Sequence, residues 1–206
     1  MSKKNYPVFY IPFGEDILES SFCNILQKDQ RQVMSGAQAD KHNKTSDIKS
    51  RLRILETYPL IRDILTKKFT EFAKDLGINS SFKITSSWLT QLNHGDTIQI
   101  HNHKNCEWSG IIYFDDDYTD QPPLMFKNPL REFCSYVHEP LAIGYSTDWQ
   151  RNPEPGLILF FPSFLYHGCR EVVRSDKSRK SLAFNIIPVG SYGAADSSMD
   201  TSWLNS

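Results

Sequence analysis

Apolar residues recur at three- and four-residue steps between Tyr58 and Leu76: Leu60, Ile61, Ile64, Leu65, Phe69, Phe72, Ala73 and Leu76. That spacing stacks them along one side of an α-helix. Pro59 falls in its first turn, where a missing N–H costs nothing, and Gly77 supplies a stop. A looser apolar face, Ile17, Leu18, Phe22, Ile25 and Leu26, predicts another helix over Asp16 to Gln27. The polar stretch between them, Lys28 to Ser50, reads as a loop. After Ser80 the period changes. Short apolar or alternating runs at Phe82–Leu92, Thr97–His103, Gly110–Phe114, Leu124–Lys127, Phe133–Val137, Gly156–Phe161 and Ser181–Ile187 predict strands, punctuated by Pro, Gly and Asp. Such a series is the pattern of an antiparallel sandwich or jelly roll. Leu157 to Phe161 is apolar at every position, which suits a strand with the sandwich interior on one side and a covering helix on the other.

The expectation is a mainly β protein with N-terminal helices, a double-stranded β-helix covered by one or more helices. It forms a single domain over 1–206: a helical part at 1–79 packing on the sheet, a jelly-roll core at 80–190, and a flexible tail at 191–206 rich in Ser, Gly, Ala and Asp. A chain of 206 residues buries enough surface to need no disulfide or zinc staple. Lys+Arg 23 against Asp+Glu 24 gives a formal net charge of −1, so charge does not indicate nucleic acid or an anionic membrane as partner. The four cysteines form no CxxC pair, which argues against a zinc cluster or a disulfide framework. No apolar run suits a signal peptide or a membrane span. These features predict a soluble protein of the cytoplasm, or of the host cytoplasm if viral, with no membrane partner.

The candidate chemistry lies with histidine. Along Thr97 to His103, alternation puts Ile98 and Ile100 on one face and Gln99, His101 and His103 on the other. Two imidazoles so placed have Cα atoms about 6.6 Å apart and can converge on a metal. His167, after the turn Pro162 to Tyr166, can complete a facial set of three that leaves positions open for a chelating cosubstrate and dioxygen. Imidazole suits iron, copper, zinc and nickel, so ligand type alone does not choose the metal. Farther on, Arg179 and Ser181 point to one side of a strand. A guanidinium with a nearby hydroxyl can hold a carboxylate such as a 2-oxo dicarboxylic acid presents. His42, His94 and His138 lie in contexts that suggest no role.

The HxH pair, the downstream Phe-Pro-Ser-x-x-x-His and the Arg-x-Ser resemble the 2-oxoglutarate/Fe(II)-dependent oxygenases, above all the small oxygenases of marine bacteria and cyanobacterial viruses. The matching stretches are Trp88 to His103, Ser109 to Tyr113, Leu159 to His167 and Arg179 to Asn185. The resemblance implies iron ligation by His101, His103 and His167. It further implies that Arg179 and Ser181 bind the distal carboxylate of 2-oxoglutarate, with Tyr113 where related prolyl hydroxylases have a tyrosine that helps. Most of the superfamily has His-x-Asp where this chain has His101-x-His103, so Glu107 stands as an alternative third ligand. The activity implied is hydroxylation of an unidentified small molecule or protein residue with Fe(II), 2-oxoglutarate and O2. Two other readings remain: a cupin-like three-histidine dioxygenase without 2-oxoglutarate, and a non-enzymatic jelly-roll binding or viral structural protein.

Overall fold

The structure, a computed structural model, describes residues 10–28, 34–35, 52–130, 148–171 and 176–205. The expected strand at Phe133–Val137, His42, His138 and most of the stretch between Lys28 and Ser50 lie outside them. In chain order the elements are β1 (Gly14–Ile17), α1 (Ser20–Gln27), β2 (Met34–Ser35), a 3-10 turn at Ile54–Glu56, α2 (Pro59–Asp75), β3 (Ser81–Leu92), β4 (Ile98–His101), β5 (Trp108–Ile112) and β6 (Leu124–Lys127). There follow β7 (Asp148–Arg151), β8 (Leu157–Pro162), β9 (His167–Cys169), β10 (Arg179–Val189), β11 (Ser191–Tyr192) and β12 (Met199–Asp200). A six-stranded sheet ordered β1-β8-β5-β10-β3-β2 faces a four-stranded sheet ordered β4-β9-β6-β7, a jelly roll with a helical cover.

α2 forms as its sequence predicts. Pro59 occupies the first turn, and Gly77, at φ 80°, ends the helix in a Schellman motif: Ile78 N–H donates to Ala73 O and Gly77 N–H to Lys74 O. The helix buries Ile61, Leu65, Phe69 and Ala73 against the six-stranded sheet, while Leu60 at its start stays exposed. Phe69 sits edge-on to Phe82 and Phe160, with ring centroids 4.7 and 5.3 Å away.

The first expected helix is shorter. Its opening residues, Gly14–Ile17, pair with β8 as an antiparallel edge strand, and only Ser20–Gln27 is helical. The free backbone edge of β8 outweighs the weak helical period there, and Ile17 is left exposed. Gly14 also permits close packing, because a Cβ there would meet the Phe72 ring at 2.8 Å.

β8 is buried at every position. Ile158 and Phe160 join α2 in one apolar cluster; Leu157, Leu159 and Phe161 join Leu124 and Phe126 of the opposing sheet in another. The sheet-and-helix sandwich expected of this strand is therefore present. Within the expected tail, β11 and β12 form a small hairpin. Thr201 anchors it, with N–H donating to Gly190 O and the hydroxyl to Pro188 O, each at 3.0 Å.

Candidate metal centre

β4 and β9 lie side by side in the smaller sheet, and their register sets His101 directly opposite His167. His103 reaches the same place differently. β4 ends at His101, so strand alternation does not carry His103; a loop does. Its N–H donates to Ser163 O at 3.0 Å, and the Asn102 side-chain amide donates to Phe164 O at 3.3 Å. The loop is thus tied to the turn between β8 and β9. The three imidazoles bring one ligand atom each to within 4.8 Å of one another, a set that can hold a metal ion.

Their outer nitrogens fix which atoms face inward. His101 Nδ1 is 2.8 Å from Gln99 O, and His167 Nδ1 is 2.8 Å from Leu165 O. A carbonyl only accepts, so each Nδ1 carries the proton and each Nε2 offers a lone pair. His103 Nδ1 has side-chain neighbours instead, Asn185 Oδ1 at 2.7 Å and Ser109 Oγ at 2.9 Å. The His101 and His103 Nε2 atoms are 3.3 Å apart. Burial, reinforced by His101, pushes His167 down to about 3. Burial also lowers His103, against its hydrogen bond to Asn185 Oδ1, which favours the charged form. Burial thus favours the neutral form of both rings, the form that ligates. Phe161 and Phe126 flank His167, and Trp88 lies 5.5 Å from His103 between ring centroids.

β10 supplies the second half of the site. Leu182, Phe184 and Ile186 face the helix-side cluster, so alternation turns Arg179, Ser181 and Asn185 to the jelly-roll interior. Arg179 is 0% exposed, and its Nη2 donates to the Tyr113 hydroxyl at 2.8 Å. Among the described residues its Nε and Nη1 have no hydrogen-bond partner. Leaving two donors of a buried guanidinium unmet costs free energy that an anionic ligand would recover. Burial raises the Tyr113 hydroxyl against the pull of Arg179, so it remains a proton donor. Ser181 is buried two residues along the same face.

Glu107 does not join the cluster. Its side chain is exposed, and the converging ligand atoms come from histidines alone. Asp115, Asp116 and Asp117 also stand apart; Asp117 pairs with Lys177. The pattern of ligands missed the polar network behind His103: Asn185, Ser109, Ser163, Ser86 and Cys106. Extending the two-residue period from Arg179 and Ser181 would have reached Asn185.

The jelly roll thus carries three converging imidazoles that can hold a metal ion and, in its interior, a buried and half-satisfied arginine. The family model described as "Putative 2OG-Fe(II) oxygenase" matches residues 86–185, just under half of the 206-residue chain and inclusive of all three histidines, Arg179 and Ser181. Over that stretch the chain is similar to the 2OG-Fe(II) oxygenases, and its three histidines can hold a metal ion.

Solved structures share the fold. A Pseudomonas putida prolyl-4-hydroxylase aligns over 87% of this chain and 94% of its own at a TM-score of 0.53 and 13% identity. HygX from Streptomyces hygroscopicus, with nickel and 2-oxoglutarate bound, aligns over 86% and 82% at a TM-score of 0.53 and 11% identity. No curated protein sequence matches. No described helix is long and apolar enough to cross a membrane.

Proposed function

We propose that this chain is a 2-oxoglutarate-dependent hydroxylase in which His101, His103 and His167 hold Fe(II), and Arg179, with Tyr113 and Ser181, binds the distal carboxylate of 2-oxoglutarate. The observation that carries this reading is the buried Arg179, whose Nε and Nη1 have no partner among the described residues while its third nitrogen is engaged by Tyr113. A three-histidine dioxygenase that used no 2-oxoglutarate would have no need of such a receptor. The residues fit the expected group: three Nε2 lone pairs converge, and a carboxylate completes the guanidinium.

When bound, Fe(II) with 2-oxoglutarate supplies the activation of dioxygen, coupled to decarboxylation to succinate and carbon dioxide. The protein's own part is positional. Gln99 O and Leu165 O hold the rings of His101 and His167 in the tautomer that ligates. Arg179 and Tyr113 orient the cosubstrate from its far end, and the aromatic wall of Phe126 and Phe161 keeps water from the buried side of His167. His101, the exposed member of the three, marks the side from which a small molecule or a protein residue would approach. Three neutral imidazoles leave the site one unit more positive than two imidazoles and a carboxylate, which strengthens its hold on an anionic chelator.

Anaerobic titration with Fe(II) and then 2-oxoglutarate tests this. A weak visible metal-to-ligand charge-transfer band is expected, absent in His167→Ala and requiring far more 2-oxoglutarate in Arg179→Ala. Iron binding with no band in the unaltered protein would instead favour the dioxygenase without 2-oxoglutarate.

A further inference from the structure

We propose that Asn185 is the positioning residue for His103, the amide that turns this third imidazole into a ligand where most of the superfamily has a carboxylate. The inference rests on the metal reading above and concerns what that reading leaves open: why a histidine on a loop should point its Nε2 at the site.

His101 and His167 take their orientation from main-chain carbonyls, which can only accept and which the fold fixes. His103 has no such partner. Its Nδ1 meets Asn185 Oδ1 at 2.7 Å, and the asparagine is itself gripped from both neighbouring strands. On β3, Ser86 Oγ accepts from Asn185 Nδ2 at 3.0 Å; on β5, Ser109 donates to Asn185 Oδ1 at 3.2 Å. The sheet register puts Ser86 and Ser109 directly opposite Asn185 on its two sides. Ser109 Oγ also lies 2.8 Å from Ser163 Oγ, and Ser163 O accepts the His103 N–H. Ring and backbone of His103 are therefore held by one connected network.

The amide matters because it can face either way. With Oδ1 toward the ring, Nδ1 bears the proton and Nε2 is free to ligate. With Nδ2 toward the ring, Nδ1 must accept, the proton moves to Nε2, and the third ligand is lost. The structure has the first arrangement, with Ser86 accepting from Nδ2 and Ser109 donating to Oδ1. An aspartate at 185 would keep the acceptor, lose the alternative, and feed negative charge through the imidazole to the metal.

Anaerobic Co(II) titration of the full chain tests the proposal through affinity and the ligand-field spectrum. Asn185→Leu is expected to weaken Co(II) by roughly 10–100-fold, the usual effect of losing an outer partner, and to give the spectrum of His103→Ala. Asn185→Asp is expected to bind at least as tightly as the parent. Wild-type affinity and spectrum in Asn185→Leu, with binding weakened in His103→Ala, would overturn the positioning role and leave the metal site standing. Wild-type binding in His101→Ala, His103→Ala and His167→Ala alike would sink the metal reading itself. Should Asn185→Leu fail to fold, Asn185→Asp is compared with and without His103→Ala. A gain in affinity only where His103 is present supports the coupling, and an equal effect in both backgrounds refutes it.

Discussion

Arg179 is held at a cost the apo fold has to bear. Its guanidinium is fully buried, and among the described residues only the Tyr113 hydroxyl bonds it, leaving Nε and Nη1 unmet. Replacing a buried, poorly compensated charge with an apolar side chain of similar length commonly stabilises a protein. Arg179→Met is accordingly expected to raise the urea-unfolding stability of the metal-free protein by about 1–2 kcal/mol. The same change removes charge-assisted bonds worth about 1.5–3 kcal/mol each, so calorimetry should find 2-oxoglutarate affinity at least ~10-fold lower. Loss of apo stability on this substitution would mean that Arg179 is a structural residue. The three histidines and Arg179 were visible in sequence because their spacing departs from what a plain strand needs. Extending the two-residue period from Arg179 and Ser181 reaches Asn185, but its role as the partner of His103 shows only once its neighbours across the sheet are known.

At the level of elements, the β4–β9 pair brings His101 and His167 together, and Gly168 sets how closely the two strands approach. A Cβ at Gly168 would lie 2.7 Å from Gln99 O and 2.8 Å from Ile98 O, main-chain atoms that cannot swing aside. Gly168→Ala should therefore push the strands apart beside the site. The expected result is a loss of about 1–3 kcal/mol in stability together with weakened metal binding, read by thermal melting and by Fe(II) titration. Unchanged metal affinity would show that the site tolerates strand separation. Strands with uniform or alternating apolar character, such as Phe82–Leu92 and Leu157–Phe161, were legible from sequence to within a residue or two. β1 and β7 were not. Gly14–Ile17 is a strand only because β8 offers it an edge, and Asp148–Arg151 only because β6 does. His103 shows the same limit: the HxH spacing suggested one strand, whereas the backbone of Ser163 places it on a loop.

Across the whole molecule, binding and folding are linked through the site. A ligand at 100 times its Kd adds about 2.7 kcal/mol to stability, which for a chain of this size is roughly 5–10 °C in Tm. Fe(II) and 2-oxoglutarate together should raise Tm by more than the sum of their separate effects, because the metal supplies one end of the chelate and Arg179 the other. Additive shifts in a thermal-melt series would argue against a shared site. β8 extends this interdependence to chain length. Its odd positions, Leu157, Leu159 and Phe161, serve the jelly-roll interior, and its even ones, Ile158 and Phe160, serve the helix layer. The strand therefore works as a ruler marked in steps of two. Removing a single residue would trade every large side chain to the wrong layer and shift Ser163 away from His103, whereas many exchanges of one apolar residue for another would leave the count intact. Along this stretch, how many residues there are is constrained more tightly than which apolar ones they are.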